Sequence, residues 1–430
     1  MNELPLRRLV LDACDGPFGS AIKSEHYAEE GARVIRLGNI GTGEWRDDSK
    51  AFLSLDYWRQ LSSHHARAGE LIMAGLGDVG HPVGRACVVP DYIGQALVKA
   101  DCYRMRLNPN LADARFIAAF LSSRAGLGQT EALAEGSTRQ RLTLSKAMSI
   151  RVPRISLTAQ RSVADFLDVE TARIDALIAN KNKLIRLLEE AGRTRQERLA
   201  TKGIRAGPMR SSRYEWLGSI PSRWGIVRLK YVAKLESGHT PSRTRPELWD
   251  NCTIPWVTLN DVGYLENHEF IERTVNLISL EGIANSSARI LPAGTVVLSR
   301  DATVGRCGIL TRPAATSQHF ADWICSPILR PRYLWLVFRT AMQKYFDSLT
   351  DGATLRTIGL PDINEFVIPL PPLGEQDDIV AAAENVRLRT ARIVDKLRRQ
   401  IALLQERRQA LITAAVMGEL EVSGRPSVDA

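Results

Sequence analysis

The sequence predicts an α+β chain in which a globular unit followed by a long helix occurs twice. Three observations predict it. The stretch from Leu157 to Lys202 recurs from Leu373 onward without a gap; apolar residues in both copies recur at helical spacing; and each copy is preceded by short strand-like segments between turns.

The helices are the most legible elements. Shifting the first copy by 216 residues puts Gln160 on Gln376, Val163 on Ile379, Leu177 on Ile393 and Ile185 on Ile401. In the first copy the apolar positions step through Val163, Leu167, Ile174, Leu177, Leu184 and Leu188. In the second they step through Ile379, Val386, Ile393, Leu397, Leu404 and Leu411. Steps of four and three residues define a coiled-coil seam, interrupted by Glu170 and Lys181 in the first copy and by Thr390 and Gln400 in the second. At 1.5 Å per residue each helix is a rod of roughly 65–70 Å. A rod of that length outruns a small core, so its expected partner is the other copy.

The repeat continues upstream. Gly136-Ser-Thr-Arg-Gln-Arg-Leu142 precedes Gly352-Ala-Thr-Leu-Arg-Thr-Ile358 at the same offset, and Val152-Pro153 precedes Ile368-Pro369. Nearer the N-terminus the offset drifts to 222, where Val34 lies over Trp256 and Asn39 over Asp261. In the first unit Glu70–Ala74 and Gly84–Val89 read as a hairpin, and Arg115–Ser123 as a short amphipathic helix. In the second, Thr295–Ser299 and Gly308–Thr311 repeat the hairpin, and Tyr333–Phe346 the helix. Residues 203–212 read as a linker. The domain boundaries that follow are 1–153, a helix over 154–205, 206–372, a helix over 373–420, and a disordered tail over 421–430.

Net charge is +9, which favours a polyanionic partner. The six cysteines show no C-x-x-C pair and no metal-ligand spacing, as expected of thiols in a reducing cytoplasm. The N-terminus lacks the apolar run of a signal peptide, and no window is apolar enough to span a membrane.

Catalytic motifs are missing. Gly75-Leu-Gly77-Asp-Val-Gly80 spells G-x-G-x-x-G, but His81-Pro82 follows where a dinucleotide site needs a helix, so a hairpin turn is expected. There is no P-loop, no Pro-Pro tetrapeptide of the amino-methyltransferase type and no metal-nuclease pattern. What remains are binding-type residues at turns. In the first unit these are Lys23, Arg36, Asn39, Arg85, Gln95, Lys99, Arg139, Gln140 and Arg141. In the second they are Arg243, Arg245, Asn260, Arg300, Arg306, Gln318, His319 and Arg356. Arg matches guanine edges, Asn and Gln match adenine, and spare cations neutralise phosphates. The groups around Arg139 and Arg356 stand out, because both follow a Gly-small-Thr turn at one repeat position.

Longer strings carry a family resemblance. Asp15-Gly-Pro-Phe-Gly-Ser20 with Lys23, Tyr214-Glu-Trp-Leu-Gly-Ser-Ile-Pro-Ser-Arg-Trp224 with Val227-Arg-Leu-Lys230, and Ser237-Gly-His-Thr-Pro-Ser242 resemble the DNA-specificity (S) subunit, HsdS, of type I restriction–modification systems. So do Ile368-Pro-Leu-Pro-Pro-Leu-Gly-Glu-Gln376 and Leu411-Ile-Thr-Ala-Ala-Val-Met-Gly418. The first copy departs from the pattern, since Val152-Pro-Arg-Ile-Ser-Leu-Thr-Ala-Gln160 lacks the double proline. The resemblance implies two α/β target-recognition domains joined by two long antiparallel coiled-coil helices with an internal pseudo-twofold repeat. It implies double-stranded DNA as a partner, read as a bipartite asymmetric site, with the helices as a ruler for the unread gap. It also implies two methyltransferase subunits and motor-nuclease subunits, which would bind S-adenosylmethionine, ATP and Mg; this chain would bind none. Two rivals remain open. An enzyme with an appended reader requires a catalytic motif, and a coiled-coil scaffold predicts binding indifferent to sequence. A methylation-only system would use the same S subunit.

Overall fold

A computed structural model describes residues 2–18, 21–350 and 357–422. The chain forms two compact units. One comprises Met1–Asn182 with Arg398–Ala430, the other Lys183–Leu397. Each unit therefore contains a sheet module and one half of each long helix.

In the first unit, β1 (Glu3–Pro5) pairs with the last strand before the helix, Arg151–Pro153. The main sheet is antiparallel and uses β2 (Val10–Cys14), β3 (Leu71–Ala74), β4 (Ala86–Val88) and β5 (Cys102–Leu107), in the order β2-β5-β3-β4. The β3–β4 pair is the expected hairpin, with Leu71 opposite Val88. Strand β3 is buried on both faces, which explains its unbroken apolar run. Leu71 and Met73 join the core that holds Phe116 and Phe120, whereas Ile72 and Ala74 face a second core with Ile35 and Val98. Ala114–Leu121 forms the short helix because Asp113 caps it, accepting from the backbone N–H of Arg115 and Phe116.

The second unit repeats this order. Its sheet uses β6 (Ala233–Ser237), β7 (Val296–Ser299), β8 (Cys307–Leu310) and β9 (Phe320–Cys325), ordered β6-β9-β7-β8 with Phe270–Ile271 at the edge. A parallel pairing recurs as well, between Val34 and Leu97 in one unit and between Trp256 and Ala315 in the other. The short helix here covers Pro331–Leu336, passes through a π-helical turn at Val337–Ala341 and resumes at Gln343–Ser348. The end of the expected 203–212 linker is a strand instead, since Met209–Ser211 pairs with Ser219–Pro221.

The long helices, α1 (Leu157–Lys202) and α2 (Leu373–Met417), start on one repeated device. The Gln160 amide accepts from Asp113 N–H at 2.9 Å and donates to the Leu111 and Ile155 carbonyls at 3.0 and 3.1 Å. The Gln376 amide accepts from Arg330 N–H at 2.8 Å and donates to the Ile328 and Pro371 carbonyls at 3.0 and 2.8 Å. Both side chains are buried, and each amide, bonded at both its ends, fixes the start of its helix against its own module.

Within each unit the helix halves run antiparallel. In the first, Asp175 meets Arg408 at 2.9 Å and Lys181 meets Gln400 at 2.8 Å. In the second, Gly192 lies against Thr390, and Gln196 donates to the Ala383 carbonyl at 3.1 Å. The seam departs from the expected frame. Leu177, Leu184 and Ile393 are exposed at 50%, 44% and 45%, whereas Ile185 and Val394 are buried. An α-helix has 3.6 residues per turn, so a straight pair drifts about 20° per heptad from a 3.5-residue frame. The contact stripe thus moves one position along, from 184 to 185 and from 393 to 394.

The expected tail over 421–430 lies almost wholly outside the described residues, as do Arg356 and most of the Gly352 turn.

Candidate nucleic-acid interface

Two motif loops that resemble each other in sequence have the same structural cause. Gly16 and Gly238 follow the first strand of their sheets. A Cβ at Gly16 would collide with the Lys99 backbone, and one at Gly238 with the Thr316 backbone. Glycine at these positions lets each loop lie against the parallel-paired segment, and the next residues then project at its end.

In the first unit that residue is Phe18, exposed at 57%. Its ring lies 5.9 Å from the Arg141 guanidinium, and Arg141 donates to Asp101 at 2.7 Å. Asp101 itself adopts a left-handed backbone, φ 64°. The segment carrying Arg141 is threaded onto the hairpin loop. Gly77 N–H donates to the Gln140 carbonyl, and Leu142 N–H to the Gly75 carbonyl, both at 2.9 Å. The G-x-G-x-x-G glycines are therefore packing residues: a Cβ at Gly75 would strike Tyr103, and one at Gly77 the Val83 backbone. Burial raises the Tyr103 hydroxyl to about 12 and lifts the Asp15 carboxyl above its usual range.

The other residues singled out in this unit divide. Arg139 is exposed and Gln140 half-buried beside Arg141. Lys23 is exposed, 3.8 Å from Glu25, and Gln95 is exposed. Arg36 is half-buried with its guanidinium on the Ser49 hydroxyl, and Lys99 donates to the Tyr27 hydroxyl at 3.1 Å. Asn39 and Arg85 are buried and occupied. Asn39 accepts from Arg36 N–H and donates to the Arg46 and Ser49 carbonyls. Arg85 donates to the carbonyls of Ile40, Leu76, Pro82 and Leu37 at 2.7–3.1 Å. It ties the Leu37–Asn39 turn to the hairpin loop, and burial lowers the affinity of its guanidinium for a proton. Both side chains are engaged within the module, where they hold the fold of the face.

In the second unit the corresponding place is polar. Thr240 stands where Phe18 stands in the first, 222 residues on. Its hydroxyl donates to Gln318 Oε1 at 2.6 Å. Gln318 Nε2 faces His319 Nε2 at 3.3 Å, and His319 Nδ1 faces Asp301 Oδ2 at 2.8 Å. Asp301 lies in the hairpin loop, bridged to Thr357, and Ile358 N–H donates to the Arg300 carbonyl at 2.9 Å. The loop-on-loop contact of the first unit thus recurs. Arg300 lies 3.9 Å from Asp301. Arg306, aligned with Arg85, is instead half-buried and paired with Glu266 at 2.7 Å. Arg243 is exposed 5.8 Å from the Trp249 ring, and Arg245 pairs with Glu247. Asn260 is exposed, while Asp261 is the buried counterpart of Asn39 and accepts from Thr258 and Val275 N–H.

Sequence reading missed Phe18, Asp101, Thr240 and Asp301. The signal available was the alignment of the two Asp/Ser-Gly loops, which sets Phe18 over Thr240.

Duplicated sheet modules with differing polar loops, each packed on one half of both long helices, define a two-module protein built from an internal repeat. Residues 221–411 match the type I restriction modification DNA specificity domain. The chain is 30% identical to the MjaIX specificity subunit of Methanocaldococcus jannaschii over 38% of each protein. It is 22% identical to the EcoR124I/EcoR124II specificity subunit of Escherichia coli over 53% of this chain and 57% of that one. The chain thus spans about two-fifths to three-fifths of the length of the curated relatives it matches. The fold matches a chain of a type I R-M system structure with a TM-score of 0.65, at 18% identity over 97% of this chain and 98% of that one. It matches the HsdS subunit of Thermoanaerobacter tengcongensis with a TM-score of 0.53, at 16% identity over 97% of both. Over residues 221–411 the chain is thus similar to the type I restriction modification DNA specificity domain, and over nearly its whole length it shares the fold of these two solved structures.

Proposed function

We propose that this chain is the sequence-reading subunit of a type I restriction–modification complex. Its two target-recognition domains, over 1–153 and 206–372, each read one half of an asymmetric duplex site. The helices over 154–205 and 373–420 set the length of the unread spacer and dock two methyltransferase subunits. The chain itself is non-catalytic. The methyltransferase subunits bring S-adenosylmethionine, motor-nuclease subunits bring ATP and Mg, and the complex acts in the cytoplasm. DNA-contacting residues would be Arg139, Gln140, Arg141, Arg243, Asn260, Arg300 and Gln318, with Lys23 and Gln95 as outlying contacts.

The observation that carries this reading is chemical divergence at equivalent places. Phe18 and Asp101 stand where the second module holds Thr240 and His319, and the polar group beside them is the Arg141 cation in one module and the Gln318 amide in the other. Two copies kept alike in frame but unlike at one loop cluster suit a reader of two different half-sequences. The test is to co-express the chain with a methyltransferase subunit of its system and map methylated bases across host DNA. One split motif with a fixed gap, dependent on this chain, supports the reading. Methylation independent of the chain overturns it and favours the scaffold.

A further inference from the structure

We infer that Gln318 is the adenine-reading group of the second domain and that Thr240 and the His319–Asp301 pair hold its amide in reading orientation. The inference rests on the DNA-reading role proposed above and assigns one base contact within it.

An exposed glutamine is normally free to rotate, and its amide presents donor and acceptor in either order. Here both ends of an exposed amide are held. The Thr240 hydroxyl donates to Oε1 at 2.6 Å, and Nε2 lies 3.3 Å from His319 Nε2. The carboxylate of Asp301 accepts, so His319 Nδ1, 2.8 Å away, carries the ring proton. In that tautomer Nε2 is the acceptor for the Gln318 amide N–H. The hydrogen-bond direction runs consistently from Thr240 into the amide and from the amide through His319 to Asp301.

The capacity left over is specific. An amide has two N–H donors and two carbonyl lone pairs, and one of each is used internally. One donor and one acceptor remain for a base edge. Adenine presents the complement in the major groove, an N7 acceptor beside an N6–H donor. Guanine presents two acceptors, and its O6 would face the amide oxygen. In the first domain the exposed group of this loop cluster is Arg141, carried on the segment that matches the one holding Thr357; it has donors only and suits guanine, so the two domains differ in the base that each can accept. Gly238 is part of the device, because only glycine lets the loop approach Thr316 closely enough for Thr240 to reach Gln318.

The test selects bound duplexes from a randomised double-stranded DNA library with the full-length chain and sequences them. Wild type should enrich a split consensus with a fixed adenine in one half. Q318E, which offers acceptors only, should turn that position to cytosine, with about 5- to 150-fold discrimination. T240V and H319F should relax the same position to no preference and leave every other position unchanged. A merely structural role for Thr240 or His319 would instead lower enrichment of all sequences together. An unchanged consensus in Q318E, or a uniform loss in T240V and H319F with their melting temperatures intact, overturns the assignment while the DNA-reading role stands. A wild-type chain that enriches no consensus overturns the role and the assignment with it.

Discussion

Lys181 donates to Gln400 at 2.8 Å, so two of the four residues that interrupt the apolar seams of the long helices answer one another. A polar pair at a seam position gives little stability but penalises every other register, because a shifted pairing sets each group against apolar side chains. Gly192 against Thr390 is a second such match, small opposite polar.

The stability of the helix pair should follow the observed seam. Ile185→Ala, at a position 8% exposed, is expected to cost about 2–3 kcal/mol in denaturant titration. Leu184→Ala, next to it but 44% exposed, is expected to cost under about 1 kcal/mol. A larger loss at Leu184 would restore the 3.5-residue frame.

Arg85 and Arg306 should behave differently despite their alignment. Arg85→Ala takes the donor from four carbonyls, that of Ile40 buried and the others partly so, and should cost about 2–3 kcal/mol in thermal unfolding. Arg306→Ala breaks one partly exposed ion pair and should cost under about 1 kcal/mol. Equal costs would contradict the folding role given to Arg85.

Asp322 makes the stability of the second module pH-dependent. It is fully buried, and burial pushes its carboxyl up to about 8, opposed in part by the Thr316 hydroxyl and reinforced by Glu236. The folded state therefore holds the proton more tightly than the unfolded chain, whose carboxyl titrates near 3.8. That advantage is full below about 4, declines as pH rises toward about 8, and is gone above it. Asp322→Asn cannot ionise, so its stability relative to wild type should rise across this window, by on the order of a few kcal/mol. A difference flat with pH would show that Asp322 ionises freely in the fold.

The repeat, the long helices and the hairpins were legible because they depend on local periodicity and on an ungapped frame. Gln160 over Gln376 is the clearest case, since one residue type at one offset makes the same three hydrogen bonds in each unit. The site was less legible because residue type does not reveal burial. Arg85 reads like any loop arginine until the Leu37–Asn39 turn closes over it. Thr240 carries no signal of its own, and its role exists only because Gly238 brings its loop against Thr316. Seam positions drifted by one residue because helical pitch accumulates over a length that no local pattern samples.

The central claim, that each module reads its own half-site, is tested most directly with Arg141. Its guanidinium is half exposed beside Phe18 and held by Asp101, and it contributes to no buried cluster. Base preferences of the wild-type chain and of Arg141→Ala should be measured on the same duplex library. The account predicts a loss of about 1–3 kcal/mol in discrimination at a position in one half only, with the other half and the gap unchanged. A loss spread evenly over both halves would contradict it.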